Sequence, residues 1–217
     1  MTNHSTSAKL ITEFIGTFFL TLTICTAAAF GTAGSYAPFA IASTLMVMIY
    51  AGGHVSGAHY NPAVTISIYI RGACDDSDVA PYIVSQIIAG VVAAVVAANV
   101  LVPDGEVGPL VMDTGPAFGS ELMFTFALAY VILNVATSES TEGNGYYGAA
   151  IAFVVLAGAL TVGPISGASF NPAVTASLVS AGVMEVADLW VHLVPQLIGA
   201  ALAAIVYNAQ QSEPNTD

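Results

Sequence analysis

Basic residues are almost absent from this chain. Its 217 residues include two, Lys9 and Arg71, against fourteen acids, and all charged residues together make up 7% of the sequence. Soluble domains carry about 25% charged residues, so the composition excludes an ordinary soluble protein. We predict no nucleic-acid partner for a chain with a net charge of -12.

Long apolar stretches take the place of the missing charge. The chain is 56% hydrophobic, its mean hydropathy is +0.81, and no Asp, Glu, Lys or Arg occurs between Phe14 and Ile70. A helix that crosses a bilayer needs about 20 apolar residues, so the length allows six spans and little else. We therefore predict a single transmembrane domain over residues 1–217 with the lipid bilayer as its surroundings.

Cysteine is also scarce, and its positions indicate no disulfide or metal site. Cys25 falls inside an apolar span and Cys74 near the end of one. No set of nucleophile, base and acid and no Gly-rich phosphate loop occurs. The sequence predicts no cofactor, no bound metal and no enzymatic activity.

Twelve of the fourteen acids fall in loops or near the ends of spans, and only Glu13 and Glu121 have apolar surroundings. Acidic surfaces stay hydrated in concentrated salt, where charge repulsion is strongly screened. This pattern favours a halophilic, archaeal source, with ordinary acidic loops as the alternative.

One ten-residue stretch occurs twice. Residues 56–65 and 166–175 agree at eight of ten positions, at an offset of 110 residues. Asn is a strong helix N-cap and Pro fits the first helical turn, so each copy predicts a loop followed by a helix that starts at Asn-Pro. The repeated triplets are Asn61, Pro62, Ala63, Asn171, Pro172 and Ala173.

Both of these helices are short. The first is predicted from Pro62 to Arg71 and the second from Pro172 to about Val179. Ten residues span about 15 Å, half of a hydrocarbon core about 30 Å thick. Both therefore read as re-entrant half-helices.

The six full spans are predicted at about residues 8–30, 38–52, 79–102, 117–137, 146–163 and 186–207. They form two repeats, about 8–102 and 117–208, each with three markers in the same order. The markers are Glu13 and Glu121, Asn61 and Asn171, and Gln86 and Gln196. Three spans are an odd number, so the repeats must lie inverted in the membrane, around a shared site at the midplane.

The predicted fold class is therefore an all-α membrane protein with six transmembrane helices, two re-entrant half-helices and an inverted three-span repeat. Lys9 and Arg71 fall on one face of it. The positive-inside tendency makes that face cytoplasmic and places both termini there.

The doubled Asn-Pro-Ala, the stretch from Ser56 to Thr65, and the first-span Glu-x-x-Gly-Thr at Glu13 resemble the aquaporin and glycerol-facilitator family, the major intrinsic proteins. The resemblance extends from Glu13 to Gly199. It implies a multi-pass protein of the cell membrane that assembles as a homotetramer, with one pore in each chain. It also implies a narrowing at the paired Asn residues and a four-residue filter.

Most relatives have an Arg directly after the second Asn-Pro-Ala, where this chain has Val174. The other filter positions carried over by the resemblance are Ile41, Ala159 and Ala168. Such a filter has no charge and no side-chain donor. We therefore expect a channel for water and small uncharged solutes such as glycerol. One alternative is a channel for small apolar or weakly polar gases, such as ammonia and carbon dioxide, and another is a hydrophobic constriction that gates by dewetting.

Glu13 and Glu121 are expected to face protein, since a carboxylate is costly in lipid. They are interpreted as acceptors that brace the two loops, together with Gln86, Gln196, His54 and His59. The alternative is that the carboxylates relay protons in a coupled transporter, which also uses inverted repeats and broken helices. pH gating is the alternative for the two histidines.

Overall fold

The computed structural model describes residues 4–211, and within them the chain is helical with no strand. Six helical segments are long and apolar enough to cross a membrane, which confirms the predicted all-α membrane fold. The first three and last six residues of the predicted domain lie outside the described range. The α-helices are α1 (Thr6–Thr23), α2 (Ala37–Ser56), α3 (Pro62–Arg71), α4 (Asp76–Val96), α5 (Thr114–Ala136), α6 (Tyr147–Ser166), α7 (Pro172–Ser180) and α8 (Leu189–Gln211).

Short segments of other helix types extend several of these helices. Ile24–Ala29 and Ala97–Leu101 continue α1 and α4 as π-helix, so the spans reach 24 and 26 residues. Single 3₁₀ turns occupy Gly34–Tyr36, Glu139–Thr141 and Val186–Asp188.

The helices α3 and α7 begin where the repeated motif predicts. Asn61 and Asn171 are the N-caps, each with extended backbone, and the Pro that follows fills the first helical position. The lengths are 10 and 9 residues, or about 15 and 14 Å. End to end, the two helices together match a hydrocarbon core about 30 Å thick.

Each half-helix packs against a long helix of the other repeat: α3 contacts α8, and α7 contacts α4. Two glycines permit close contacts between helices. A Cβ at Gly90 would lie 2.5 Å from the carbonyl oxygen of Ala173, and one at Gly199 would lie 2.5 Å from that of Leu122. Small residues allow helix backbones to approach in membranes, so these two positions hold α7 on α4 and α8 on α5.

Two helices run further than the sequence predicts. The span predicted to end near Gly52 continues to Ser56, and the one predicted to end near Gly163 continues to Ser166. The turn comes only at Gly57 and Gly167, whose φ angles are +88° and +79°. Glycine is tolerated inside membrane helices, so the earlier glycines do not end them.

Candidate functional site

A cavity of about 1520 Å³ runs through the helix bundle. Its lining follows α2 from Pro38 to Ser56, a distance of about 27 Å along a helix. Asn61 and Asn171 both line it. Because the lining reaches both ends of the bundle, the cavity has the length of a transmembrane passage.

The two Asn residues cap their helices and also join the two loops. Oδ1 of Asn61 accepts from the backbone N–H of Ala63 at 2.8 Å, and Oδ1 of Asn171 accepts from Ala173 at 2.8 Å. Nδ2 of Asn61 donates to the carbonyl oxygen of Phe170, 2.9 Å away, and Nδ2 of Asn171 donates to that of Tyr60, also 2.9 Å away. The N-terminal ends of α3 and α7 therefore face each other across the cavity.

Each of these amides has a second N–H. An Asn side chain carries two donor hydrogens, and the bond to the opposite loop uses one of them. Since both side chains line the cavity, the remaining hydrogens give it two fixed donors at the centre.

Both loops contain non-glycine residues in the left-handed region. The φ angles are +52° at Ala58, +49° at Tyr60, +51° at Ala168 and +50° at Phe170. Such a conformation costs of order 1–3 kcal/mol per residue and persists only where the surroundings enforce it. Here the enforcing contacts come from two buried carboxylates.

Glu13 is fully buried and accepts four hydrogen bonds. Oε1 accepts from Ser56 Oγ at 2.6 Å and from the backbone N–H of His59 at 2.9 Å. Oε2 accepts from the backbone N–H of Tyr60 at 2.7 Å and from Gln86 Nε2 at 2.8 Å. The carboxylate thus satisfies two consecutive N–H groups of the first loop.

Glu121 makes the same set of contacts in the second repeat and is also fully buried. Its donors are Ser166 Oγ at 2.7 Å, the backbone N–H of Ser169 at 3.0 Å, that of Phe170 at 2.8 Å, and Gln196 Nε2 at 2.8 Å. The equivalence is atom for atom, which relates the two halves in their hydrogen bonding as well as their sequence.

Further polar contacts link each loop to the half-helix that follows it. Nδ1 of His59 lies 3.1 Å from Thr65 Oγ1, and Gln86 Nε2 donates to the same hydroxyl at 3.1 Å. In the second repeat Ser169 Oγ lies 2.7 Å from Thr175 Oγ1. Nδ1 of His59 therefore makes the contact in the first repeat that the Ser169 hydroxyl makes in the second. His59 is 8% exposed.

Sequence reasoning missed two residues that hold the ends of α2 and α6. Tyr82 donates its hydroxyl hydrogen to the carbonyl oxygen of Ser56 at 2.9 Å. His192 Nε2 lies 2.7 Å from the carbonyl oxygen of Ser166, which can only accept, so the ring nitrogen donates. The two residues share the 110-residue offset of the repeat, a signal that could have found them.

The four positions carried over as a filter all line the cavity: Ile41, Ala159, Ala168 and Val174. Ile41 and Val174 are 7% and 2% exposed. None of the four side chains carries a hydrogen-bonding group, so a solute passing them meets only apolar side chains. This apolar mouth of the cavity also includes Leu110 and Val183.

The opposite end, which we call the polar mouth, is lined by Lys9, Arg71, Asp78, Glu139 and Glu142 among others. Lys9 Nζ contacts Asp78 Oδ2 at 2.6 Å. Arg71 donates from Nε to Thr137 Oγ1 at 3.0 Å and packs its guanidinium over the ring of Tyr207. Lys9 and Arg71 are therefore both held by contacts within the protein, Lys9 by an ion pair and Arg71 by a hydrogen bond and a cation–π contact.

The predicted end of span two near residue 52 would place His54 in the first loop, and that placement is wrong. It lies in the last turn of α2, because the helix continues past Gly52 and Gly53. Its ring lines the cavity and stacks edge-on with His4, with ring centroids 6.2 Å apart.

Cys74 lies near the polar mouth, between α3 and α4. Burial and the nearby carboxylates of Asp78 and Asp75 raise the pKa of its thiol to about 11. Across residues 4–211, no three His, Cys, Asp or Glu side chains are grouped as a metal site would require.

Comparison with known proteins gives a consistent result. The family model described as "Major intrinsic protein" matches residues 1–207. A probable aquaporin of the NIP type from Nicotiana alata is 36% identical over 213 residues, covering 94% of this chain and 78% of the relative. Aquaporin NIP1-1 of Zea mays is 35% identical, covering 92% of this chain and 73% of the relative.

Among solved structures, the fold is similar to the X-ray structure of the aquaglyceroporin from Plasmodium falciparum. The TM-score is 0.77, with 94% of this chain and 96% of that chain covered. The sequences are 21% identical, so this likeness concerns the fold.

The hydrogen bonds of Glu121 predict a large effect of Glu121→Gln on stability. The amide would present N–H groups to donors that now share a carboxylate, and a buried donor left unpaired costs about 1–3 kcal/mol. We expect a destabilisation of about 2–4 kcal/mol, measured as a fall in the thermal unfolding midpoint of the purified protein in detergent.

Glu139→Gln is the matched control, because Glu139 is exposed, and it should leave the midpoint unchanged. Equal midpoints for Glu121→Gln and the unmodified protein would show that the carboxylate does not hold the loop.

Proposed function

The chain belongs to the major intrinsic protein family and is a membrane channel rather than an enzyme, and we propose that its pore passes water together with small uncharged solutes such as glycerol. The observation that carries this proposal is the lining of the cavity. Two Asn-capped helix ends meet at its centre, and an apolar set of side chains follows toward one mouth.

The helix ends supply the barrier to cations. A helix N-terminus carries about half a positive charge, and neither α3 nor α7 has an acid in its first turn to neutralise it. A cation about 4 Å from each end is repelled by about 2 kcal/mol per helix at an effective dielectric constant of 20. Neutral molecules are not repelled in this way, so the pore selects solutes first by charge.

The choice among neutral solutes rests on the filter. We assign the constriction to Ile41, Ala159, Ala168 and Val174. With Val174 in place of an Arg, the constriction lacks a bulky cation and its donors, so water finds no substitute for the hydrogen bonds it gives up. Two alanines leave room for a larger molecule, and this favours glycerol-sized solutes over strict selection of water.

A coupled transporter is not favoured. Its chemistry would need ionisable groups free to take up and release an ion at the midplane. Glu13 and Glu121 each accept four hydrogen bonds, as described above, and neither lines the cavity. They are best assigned to bracing the loops.

We propose that the polar mouth faces the cytoplasm and that the protein lies in the cell membrane. Lys9 and Arg71, the only basic residues of the chain, both line this mouth. Arg71 contacts Tyr207 near the end of α8, and Lys9 lies near the start of α1. The positive-inside tendency then places both termini in the cytoplasm.

A homotetramer of independent pores remains our proposal for the assembly, on the family resemblance. The exposed apolar side chains of α1, such as Ile11 at 59% and Ile15 at 46%, need lipid or a neighbouring chain to cover them. The two repeats, residues 8–102 and 117–208, would together form one pore in each chain.

Stopped-flow light scattering on proteoliposomes tests the proposed solutes. Water and glycerol permeabilities are expected to exceed those of empty liposomes, and urea and ammonia complete the comparison. Ala159→Trp should lower all of them because it fills the constriction, while Phe153→Leu, on the exposed face of the same helix, should not. Glycerol permeability equal to that of empty liposomes would remove glycerol from the proposal.

Val174→Arg tests the assignment of the filter. The substitution restores a charge worth about 4 kcal/mol against a cation at about 4 Å, and it adds bulk. We expect a fall of about tenfold or more in glycerol permeability and in any cation leak. Val174→Leu separates bulk from charge, since it should reduce glycerol flux without changing ion leak. Unchanged fluxes in the Arg variant would show that residue 174 lies outside the constriction.

The Cys74 thiol tests the orientation. A membrane-impermeant maleimide should label it in inverted membrane vesicles and not in right-side-out ones, and Cys74→Ser should abolish labelling because Cys25 is fully buried. Since the pKa is raised to about 11 and the thiolate is the reactive form, labelling should accelerate with each step in pH up to that value. Labelling in right-side-out vesicles would reverse the assigned orientation.

A further inference from the structure

The connection between α4 and α5 places one side chain in the passage. Leu110 lines the cavity and is half-buried, whereas its neighbour Val111 is 86% exposed. We infer that Leu110 is a fifth specificity-determining residue, which sets the width of the apolar mouth for uncharged solutes. The inference rests on the proposed function, since it concerns the solutes of the same pore.

A backbone contact fixes the position of Leu110. Its N–H donates to the carbonyl oxygen of Val183 at 2.7 Å, in the turn that follows α7. This bond ties the connection to the half-helix that carries Val174. The side chain therefore has a defined place at the mouth, although the surrounding residues form no regular helix.

The side chain of Leu110 reaches the second loop and the half-helix at once. A Cβ built on Gly167 would lie 3.1 Å from Leu110 Cδ2, so the leucine lies directly over the loop that carries Ala168. It also packs against the apolar cluster of Val174, Leu178 and Met184. Leu110 is thus in contact with the region of two assigned filter residues.

The consequence for selectivity follows from the size and chemistry of these side chains. Val174 has a short side chain at the position where most relatives have an Arg. Leu110 therefore supplies apolar bulk at this mouth. A leucine offers no hydrogen bond, so it sorts neutral solutes by cross-section and by the water they must shed. Removing the bulk should favour larger solutes more than it favours water.

The test compares Leu110→Ala with Leu110→Phe in proteoliposomes, using water, glycerol and the four-carbon polyol erythritol as probes. Leu110→Ala should raise glycerol and erythritol permeability about threefold or more while water changes less than about twofold. Leu110→Phe should lower the ratio of glycerol to water permeability. Val111→Ala, next in the chain and outside the cavity lining, should leave every permeability unchanged.

The ratio of solute to water permeability is the deciding readout, because a loss of folded protein lowers both permeabilities together and leaves their ratio unchanged. If Leu110→Ala does not reconstitute, Leu110→Phe decides alone. An unchanged ratio in the variants, with the unmodified protein conducting glycerol, would overturn the assignment of Leu110 and leave the proposed function intact. Absence of glycerol conduction in the unmodified protein and in Leu110→Ala would instead count against the proposed function.

Discussion

The acceptance of loop N–H groups by two buried carboxylates is the interaction on which this structure depends. Irregular backbone at membrane depth cannot use lipid to satisfy its polar groups, and each unsatisfied group costs several kcal/mol. Glu13 and Glu121 each meet two consecutive N–H groups. The donors in turn offset the cost of burying a carboxylate. Loop and carboxylate are therefore stable only together, and together they fix where the helix ends lie.

The two repeats form a symmetric scaffold around the cavity, but the side chains that line the cavity differ between its two ends. The Asn side chains bond reciprocally across the centre, and each half-helix packs on a helix of the other repeat. The differences lie in side chains: His59 stands where the second repeat has Ser169, and one mouth is charged while the other is apolar. In the function proposed above, the repeat supplies the barrier to ions, and the departures from the repeat supply the choice of solute.

Local signals allowed much of this to be predicted. The starts of α3 and α7 follow from Asn and Pro, whose capping preferences need no distant partner, and the buried acids stood out against their apolar surroundings. Contacts between distant segments were harder to predict. The 110-residue offset between Tyr82 and His192 could have singled out that pair, but the position of Leu110 over the second loop leaves no pattern in neighbouring residues. His54 was misplaced because glycine was taken as a helix end in a membrane setting that tolerates it. The tetramer and the halophilic source stay predictions.

At the centre of the proposed pore and toward its apolar mouth, the exclusion of ions must come from the backbone rather than from charged side chains. Val174 contributes no charge, so the positive potential is that of two helix ends, about 4 kcal/mol together by the estimate above. That barrier is about a thousandfold in equilibrium terms, since each 1.4 kcal/mol is a factor of about ten. This barrier depends on two features. Asn, and not an acid, caps each helix, and the carboxylates that hold the loops do not line the cavity. The proposed apolar constriction would add the cost of dehydration, which is greatest for ions and least for molecules that bind water weakly.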